Sequence, residues 1–313
     1  MRRFAPRVVL RSPSTVTARR VRTVLEAVPN VSEGRSAQAT EAIGEAFAKG
    51  PRLLDTHSDA DHNRSVFTLA GEAGALVSGL VAGVARACEL IDLRRHEGVH
   101  PRVGAADVVP VVPLEPAAME EAKAAALAVA ESIGDEVGMP VFLYGEVGEG
   151  RRPAFFRRGG LDELRRRVEA GELESTFGPH EVGERAGAVL VGARKPLVAY
   201  NVVLETGEAE LAKAVAAAVR ESSGGLAGVQ AIGLRLPTSG RIQVSMNVID
   251  LDRTPLHELY ARVVAEAAAR GVGVREGELV GLVPERVLTE AEAAGCEVPG
   301  VDESRVLERA LGL

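Results

Sequence analysis

Two of the six histidines lie in the segment His96-Glu97-Gly98-Val99-His100, which could bind a metal ion or move protons. It matches H-E-x-x-H, in which two histidines on one helical face ligate zinc and the glutamate acts as a base. Gly98 weakens a helix here, and Pro101 favours extended backbone at the residue before it. We therefore expect no metal site. His100 is a candidate for proton transfer because the pKa of imidazole lies near neutrality.

A second polar cluster spans residues 55–64, with the sequence DTHSDADHNR. Its oxygen and nitrogen atoms could ligate a cation, but Asp, Asn and Ser between two strands are also typical of turns. Arg64 would repel a cation. The cluster therefore favours an anionic ligand that receives hydrogen bonds from Asn63 and Arg64.

Further basic residues lie at strand ends or glycine-rich turns of an otherwise acidic chain. The net charge is −7, although residues 1–25 contain seven arginines and no acidic residue. Because the rest of the chain is acidic, with an overall pI near 5.6, it is not typical of a nucleic-acid-binding protein. We expect these cations to converge on a substrate rich in carboxylates. They are Arg64, Arg102, Arg194 and Lys195.

The elements that must position these residues alternate twice in the order βαββαβ. In the first half we predict strands at 24–28, 52–58, 63–71 and 107–114, with helices at 36–49 and from 72 to about 95. In the second half we predict strands at 196–205, 229–236, 241–251 and 274–283, with helices at 208–222 and 254–270.

This repeat predicts an α+β fold of two ferredoxin-like (βαββαβ) subdomains that form an internal duplication. We place a basic arm at residues 1–22, either disordered or a misassigned start, and subdomains at 23–185 and 186–313. The connector at 151–167 is expected to bridge the subdomains, with a solvated helix whose charges pair along its surface.

Several function classes are excluded by missing motifs. The chain has no G-x-x-x-x-G-K-[ST], no G-x-G-x-x-G after a strand and no G-x-S-x-G, which argues against kinases, common dehydrogenases and typical α/β-hydrolases. It has only two cysteines and no apolar run long enough to span a membrane. We expect a cytoplasmic protein with no membrane partner.

Several long segments, in order, resemble the glutamate formimidoyltransferase family. They are VPNVSEGR, DADHNRSVFTLAG, HEGVHPRVGAADVVPVVPL, PVFLYGE, FGPHEVGERAGAVLVGARKPLVAYNVVLET and VSMNVID, and the match runs from about Leu25 to about Arg286. The resemblance implies a homodimer of two-subdomain chains that bind tetrahydrofolate, as co-substrate, in a positively lined tunnel. It also implies transfer of the formimidoyl group from N-formimidoyl-L-glutamate to N5 of tetrahydrofolate in histidine degradation, with no metal. No cyclodeaminase part is present, so a separate protein is expected to catalyse the next step.

The resemblance also implies site residues. His100 matches the catalytic histidine, with the role of a general base. The folate-contacting stretch corresponds to Gly178, Pro179, His180, Glu181, Val182, Gly183, Glu184, Arg185, Ala186 and Gly187. Charge places Arg64, Arg102, Arg194 and Lys195 around the substrates, with Asn63, Asp107 and Asn201 as orienting groups. His57 stands where some family members carry an acidic residue, so Asp55 or Asp59 is expected to orient His100.

Three alternatives stay open from the sequence. The donor could be N-formylglutamate, which has oxygen in place of the imino nitrogen. The chain could be a folate-binding module without catalysis. It could also be a zinc hydrolase that uses His96 and His100.

Overall fold

The computed structural model describes residues 23–99 and 101–312. The basic arm at 1–22 and His100 lie outside the described residues, so the predictions made for them are not addressed by the fold. The strands are β1 Leu25–Ala27, β2 Asn30–Val31, β3 Arg52–Asp59, β4 Arg64–Gly71, β5 Ala106–Pro113, β6 Val141–Gly145, β7 Val189–Ala193, β8 Val198–Leu204, β9 Val229–Arg235, β10 Ile242–Val248 and β11 Val274–Val280. The helices are α1 Ala37–Phe47, α2 Ala73–Leu90, α3 Met119–Ser132, α4 Pro153–Arg157, α5 Gly160–Glu169, α6 Ala209–Val219, α7 Leu256–Ala268, α8 Glu285–Ala293 and α9 Leu307–Leu311.

The second subdomain contains a four-stranded antiparallel sheet in the order β11-β8-β10-β9. Helix α6 connects β8 to β9, and α7 connects β10 to β11, as the sequence predicts. Alternate residues of the strands, such as Tyr200 and Val244, pack with Val215 and Val263 of these helices. The helices therefore cover one face of this sheet and leave the other face to a different partner.

The first subdomain contains a seven-stranded sheet. The short strands β1 and β2 both lie between β4 and β5, and β3 pairs with the far side of β4. Beyond β5 the sheet continues in parallel with β7 and then β6. Helices α1, α2 and α3 cover one face, where Phe47, Leu80 and Val129 belong to one apolar cluster with Leu25 and Val109 of the sheet.

Two details differ from the sequence prediction. Strand Val189–Ala193 pairs within the first sheet, so the two sheets divide between Ala193 and Val198 and not at the predicted 185/186 boundary. The connector also packs on the first sheet, because Phe156 and Leu164 cluster with Phe142 of β6 and Leu190 of β7. The sequence did not predict which sheet β7 would join, because the residues of this short strand show no preference for pairing with either sheet.

The uncovered faces of the two sheets point towards each other. On β1, Leu25 and Ala27 enter the helix-covered core, whereas Glu26 between them lines a cavity that Asn247 of β10 also lines. This follows from the alternation of side chains along a strand. A cavity between the two subdomains is therefore a direct result of the strand pattern.

Polar contacts join the two subdomains around this cavity. The carboxylate of Asp61, in the turn between β3 and β4, accepts a hydrogen bond from the backbone amide of Thr238 and one of 3.2 Å from Ser239 Oγ. Arg305 lies 3.2 Å from Asp55 of β3. Arg52 donates to the carbonyl oxygens of Ala310 and Leu311 at 2.9 and 3.0 Å. Strand β3 and the turn after it thus bind both the turn between β9 and β10 and the last residues of the second subdomain.

Helix α2 packs unusually close to α1. By length and composition alone α2 could cross a membrane, but its residues Leu76, Leu80 and Val84 are fully buried in the first core. The close approach depends on Gly83, where an added Cβ would lie 1.9 Å from the buried Phe47 ring. Helix α2 is therefore a core helix of the first subdomain.

We expect Gly83→Ala to lower the free energy of unfolding by about 1–3 kcal/mol, because the new methyl group overpacks the α1–α2 contact. Gly74→Ala is the matched control: it lies in the same helix with nothing within 4 Å of the added Cβ. Helix propensity should make that change neutral or stabilising by up to about 1 kcal/mol. Urea denaturation of both variants checks this, and equal stability of the two would contradict the packing argument.

Candidate functional site

The cavity between the sheets has a volume of about 510 Å³, within the range typical of small-molecule sites. The first sheet contributes side chains from β1, β4 and β5, and the second from β8, β10 and β11. The stretch between β6 and α5 closes another side. Of the predicted cations, Arg64, Arg194 and Lys195 line this cavity.

Asn63 ties the β3–β4 turn to the loop that carries His100. Its backbone lies in the left-handed region, with φ of 46°, which Asn tolerates better than most residues. Its side-chain oxygen accepts from Gly34 N at 2.9 Å, and its amide donates to the Glu97 carbonyl oxygen at 2.9 Å. Asn63 is thus a positioning residue for the backbone three residues before His100.

His96 and Arg102 hold the same loop from its two ends. His96 Nε2 lies 3.0 Å from the Asn63 carbonyl oxygen, and its Nδ1 accepts a hydrogen bond from Arg102. Arg102 also donates to the Gly98 carbonyl oxygen at 3.0 Å. This pattern places the proton on Nε2 of a neutral imidazole. Burial, followed by the Arg102 charge, lowers the pKa of His96 and favours this neutral form.

The described part of this segment does not have the helical geometry that the zinc motif needs. His96 has φ −88° and ψ 127°, so it is extended rather than helical, and both of its ring nitrogens already have partners. Within residues 23–99 and 101–312, no group of three or more His, Cys, Asp or Glu side chains is placed to hold a metal ion. Arg102 does not line the cavity in the described part of the chain; its hydrogen bonds hold the loop, and its expected contact with the substrate stays a prediction.

Asp107 anchors the far end of the loop. One of its oxygens accepts from Val103 N at 2.7 Å, and the other accepts from Arg157 of α4. Arg64 lies next to this pair, and burial followed by repulsion from Arg157 lowers its pKa to about 10. The sequence did not indicate Arg157, because four arginines occur between 151 and 158 without a spacing that separates them.

The acidic residues named for orienting His100 have other partners. Burial alone would raise the pKa of Asp59, but hydrogen bonds from His62 lower it to about 2. His62 Nδ1 lies 2.8 Å from that carboxylate. Asp55 pairs with Arg305. The Asp59 carboxylate is therefore already engaged within the protein, whereas the buried Oδ2 of Asp55 has no hydrogen-bond partner among the described residues.

A carboxylate from the second sheet reaches the position where the resemblance led us to expect an acid. Glu278 of β11 lies 3.4 Å from His57 Nε2 and accepts a hydrogen bond of 3.1 Å from Asn201 Nδ2. Hydrogen bonding to His57 lowers the pKa of Glu278, so it is ionised at neutral pH. Sequence reasoning missed Glu278 because alternating charges along VREGELV look like the exposed face of an edge strand. Asn201 thus holds the Glu278 carboxylate, and its expected contact with the substrate stays a prediction.

The predicted folate-contacting segment, 178–187, lies beside the loop and contributes no residue to the cavity wall. Ala105 N donates to the Ala186 carbonyl oxygen at 2.8 Å, and Ala188 N donates to the Val103 carbonyl oxygen at 2.9 Å. Arg185 binds the Glu89 carbonyl oxygen. The segment therefore supports the backbone that follows His100, and its folate contact stays a prediction.

Glu26 is the main acidic group on the cavity wall of the first sheet. It is only 7% exposed and makes no hydrogen bond or ion pair to the described part of the chain. Burial raises its pKa to about 7, although the Arg194 charge opposes this and Glu308 adds to it. The folded protein therefore favours the neutral form of Glu26, whereas the unfolded chain ionises it at lower pH.

The free energy of unfolding should fall as pH rises from about 4.5 to 7, because the Glu26 carboxyl ionises in the unfolded chain but stays largely protonated in the folded protein over that interval. We expect Glu26→Gln, which mimics the neutral acid, to raise the free energy of unfolding by about 1–3 kcal/mol at pH 8 and by less at pH 5.5. Glu41→Gln on the exposed face of α1 is the control. Urea denaturation at both pH values measures the difference; a gain independent of pH would refute the titration of Glu26.

Comparison with known proteins agrees with the two-subdomain architecture. Residues 24–194 match the sequence profile of the formiminotransferase domain, N-terminal subdomain, and residues 199–297 match that of the formiminotransferase domain. Glutamate formimidoyltransferase of Thermoplasma acidophilum is 38% identical, over 91% of this chain and 96% of its own. The enzyme of that name from Streptococcus pyogenes is 35% identical, over 92% and 98%. Formimidoyltransferase-cyclodeaminase of Gallus gallus is 40% identical, over 86% of this chain and 51% of its own. The chain therefore belongs to the formiminotransferase family.

Proposed function

We propose that this enzyme transfers the formimidoyl group of N-formimidoyl-L-glutamate to N5 of tetrahydrofolate and releases L-glutamate. The observation that carries the proposal is the cavity between the two subdomains, which lies next to a loop that Asn63, Arg102 and Asp107 hold in place. The family membership and the names of the relatives support the same reaction. Tetrahydrofolate acts as co-substrate, and the reaction needs no metal.

The chemistry requires one proton transfer in each direction. N5 attacks the formimidoyl carbon, and a base takes the N5 proton as the tetrahedral intermediate forms. The intermediate then breaks its bond to the glutamate nitrogen, and the same group returns the proton to the leaving amine. We assign this role to His100, whose imidazole can accept and donate a proton near neutral pH. Holding both substrates in one cavity supplies much of the remaining acceleration.

The cations of the wall suit the charges of the substrates. Both substrates carry carboxylates, and guanidinium groups bind carboxylates with two parallel hydrogen bonds. Arg64 lies at the loop end of the cavity, and Arg194 and Lys195 lie at the other end of the first sheet. Arg102 contributes indirectly, through the shape of the loop.

The proposal extends to architecture and context. The order β11-β8-β10-β9, and the order β5, β1/β2, β4, β3 within the first sheet, support a ferredoxin-like duplication to which β6 and β7 add. We also propose a cytoplasmic homodimer that acts in histidine degradation.

The first test mixes purified protein with tetrahydrofolate and either formimidoylglutamate or formylglutamate. We expect glutamate release and a modified folate with formimidoylglutamate. Transfer from formylglutamate and not from formimidoylglutamate would show that N-formylglutamate is the donor. Folate binding without transfer from either donor would instead indicate a binding module.

We expect His100→Ala to lower kcat by roughly 10²–10⁴-fold while the Kd for tetrahydrofolate changes little, because the base acts on the chemical step. His257→Ala on α7 serves as the control with the same side-chain change. Steady-state kinetics and fluorescence titration give the two quantities. Near-normal turnover of His100→Ala would remove His100 from the mechanism.

A further inference from the structure

Arg157 is a cavity residue that the proposed reaction has not yet used. It lies at the end of α4 and lines the cavity, while one of its terminal nitrogens donates to Asp107. Its Nε is buried and has no hydrogen-bond partner within residues 23–99 and 101–312. A buried guanidinium nitrogen without a partner costs free energy, so an acceptor outside the described residues would be stabilising.

Arg64 adds a second guanidinium at the same place. It donates no side-chain hydrogen bond to a described residue, and burial followed by repulsion from Arg157 lowers its pKa. Asp107 and Asp59 attract it, but each oxygen of these two carboxylates already accepts a hydrogen bond from Val103, Arg157 or His62. Two cations thus face the cavity with their local anions already engaged, which favours binding of a further anion.

The position of this pair separates it from the other cations of the cavity. Asp107 holds Val103 and so lies at the loop end. Arg194 follows Ala193, which pairs with Val111. Val111 lies four residues after Asp107 along β5. At 3.3 Å per residue these two levels are about 13 Å apart. The backbone of Asp107 therefore lies at the level of the loop that carries His100, and the backbone of Arg194 lies further from it.

We infer that Arg64 and Arg157 together bind one carboxylate of the formimidoylglutamate donor, with Asp107 positioning the Arg157 guanidinium. This inference rests on the proposed function. The donor's carboxylates lie only a few bonds from the reacting carbon, so they must be bound near the loop. The glutamate carboxylates of folate lie beyond its aminobenzoyl group and reach the distant end, where Arg194 and Lys195 lie.

The test combines Arg157→Gln with shortened donors. The matched control is Arg158→Gln, which makes the same change at the adjacent exposed arginine. The donors are formimidoylglutamate, N-formimidoylglycine, which lacks the side-chain carboxylate, and 4-formimidoylaminobutyrate, which lacks the α-carboxylate. We expect Arg157→Gln to raise KM for formimidoylglutamate by roughly 10–100-fold, with a smaller effect on kcat, since a charged hydrogen bond to substrate is lost.

The shortened donors distinguish binding from a structural role. The donor that lacks the carboxylate bound by Arg157 should have the same kcat/KM with wild type and variant, and tetrahydrofolate affinity should be unchanged. Equal losses with all three donors would overturn the inference, because Arg157 would then act only through Asp107 and the loop. Arg64→Gln, which leaves the Arg157–Asp107 pair intact, should give the same donor-specific pattern.

Binding of L-glutamate, the released product, gives a readout that does not need turnover. Calorimetry should show at least tenfold weaker binding to Arg157→Gln than to wild type and to Arg158→Gln. Equal affinity, or no binding by wild type, would overturn the carboxylate site. If wild type binds glutamate through Arg157 but transfers nothing from any donor, the proposed reaction fails while the carboxylate site stands.

Discussion

The structure depends on a shared constraint: α6 and α7 cover one face of the second sheet, and α1, α2 and α3 cover one face of the first. On the opposite face of the first sheet α4 and α5 cover only β6 and β7, so the remaining area of the two sheets must be covered by each other. Because side chains alternate along strands, every second residue of β4 from Arg64 to Thr68 enters this middle layer, as do Val108 and Pro110 of β5 and single residues of β1, β8 and β10. A fully apolar middle layer would close into a single core. Here Glu26, Arg64 and Asn247 interrupt it, so the sheets meet at their edges and leave a cavity between their centres.

The loop that carries His100 is shaped almost wholly by polar side chains acting on backbone atoms. Asn63 binds the Glu97 carbonyl oxygen, Arg102 binds that of Gly98, and Asp107 accepts from Val103. The neutral form of His96 completes this network by linking Asn63 to Arg102. A loop without secondary structure can thus be preorganised, because its backbone groups are paired with side chains in place of a helix or a sheet. Reorganisation during the reaction is reduced accordingly.

The element order was predictable from sequence because hydrophobic periodicity and helix ends are local signals. Thr254-Pro255 and Gly271 bound α7 as expected, and both βαββ patterns appear. Membership of β7 in the first sheet was not predictable, since pairing is decided by tertiary contact. The site followed the same division: Arg64, Arg194 and Lys195 were found from charge in an acidic chain. The sequence did not indicate Arg157 or Glu278, because their partners, Asp107 and His57, are distant in sequence. The hydrogen bonds by which Arg102 holds the loop were not predicted either.

The carboxylate of Asp61 bears on the order in which the molecule assembles. It binds the turn at Thr238 and Ser239, which is 177 residues away along the chain. Each subdomain can form its sheet from contacts that are closer along the chain, but the hydrogen bonds of Asp61 to Thr238 and Ser239 require both sheets to be formed first. Loop-closure entropy makes such contacts late in folding. Since the same turn continues into Asn63, the loop that carries His100 is set in place by the hairpin that also joins the halves. The contact that docks the two subdomains is consequently also part of what completes the cavity.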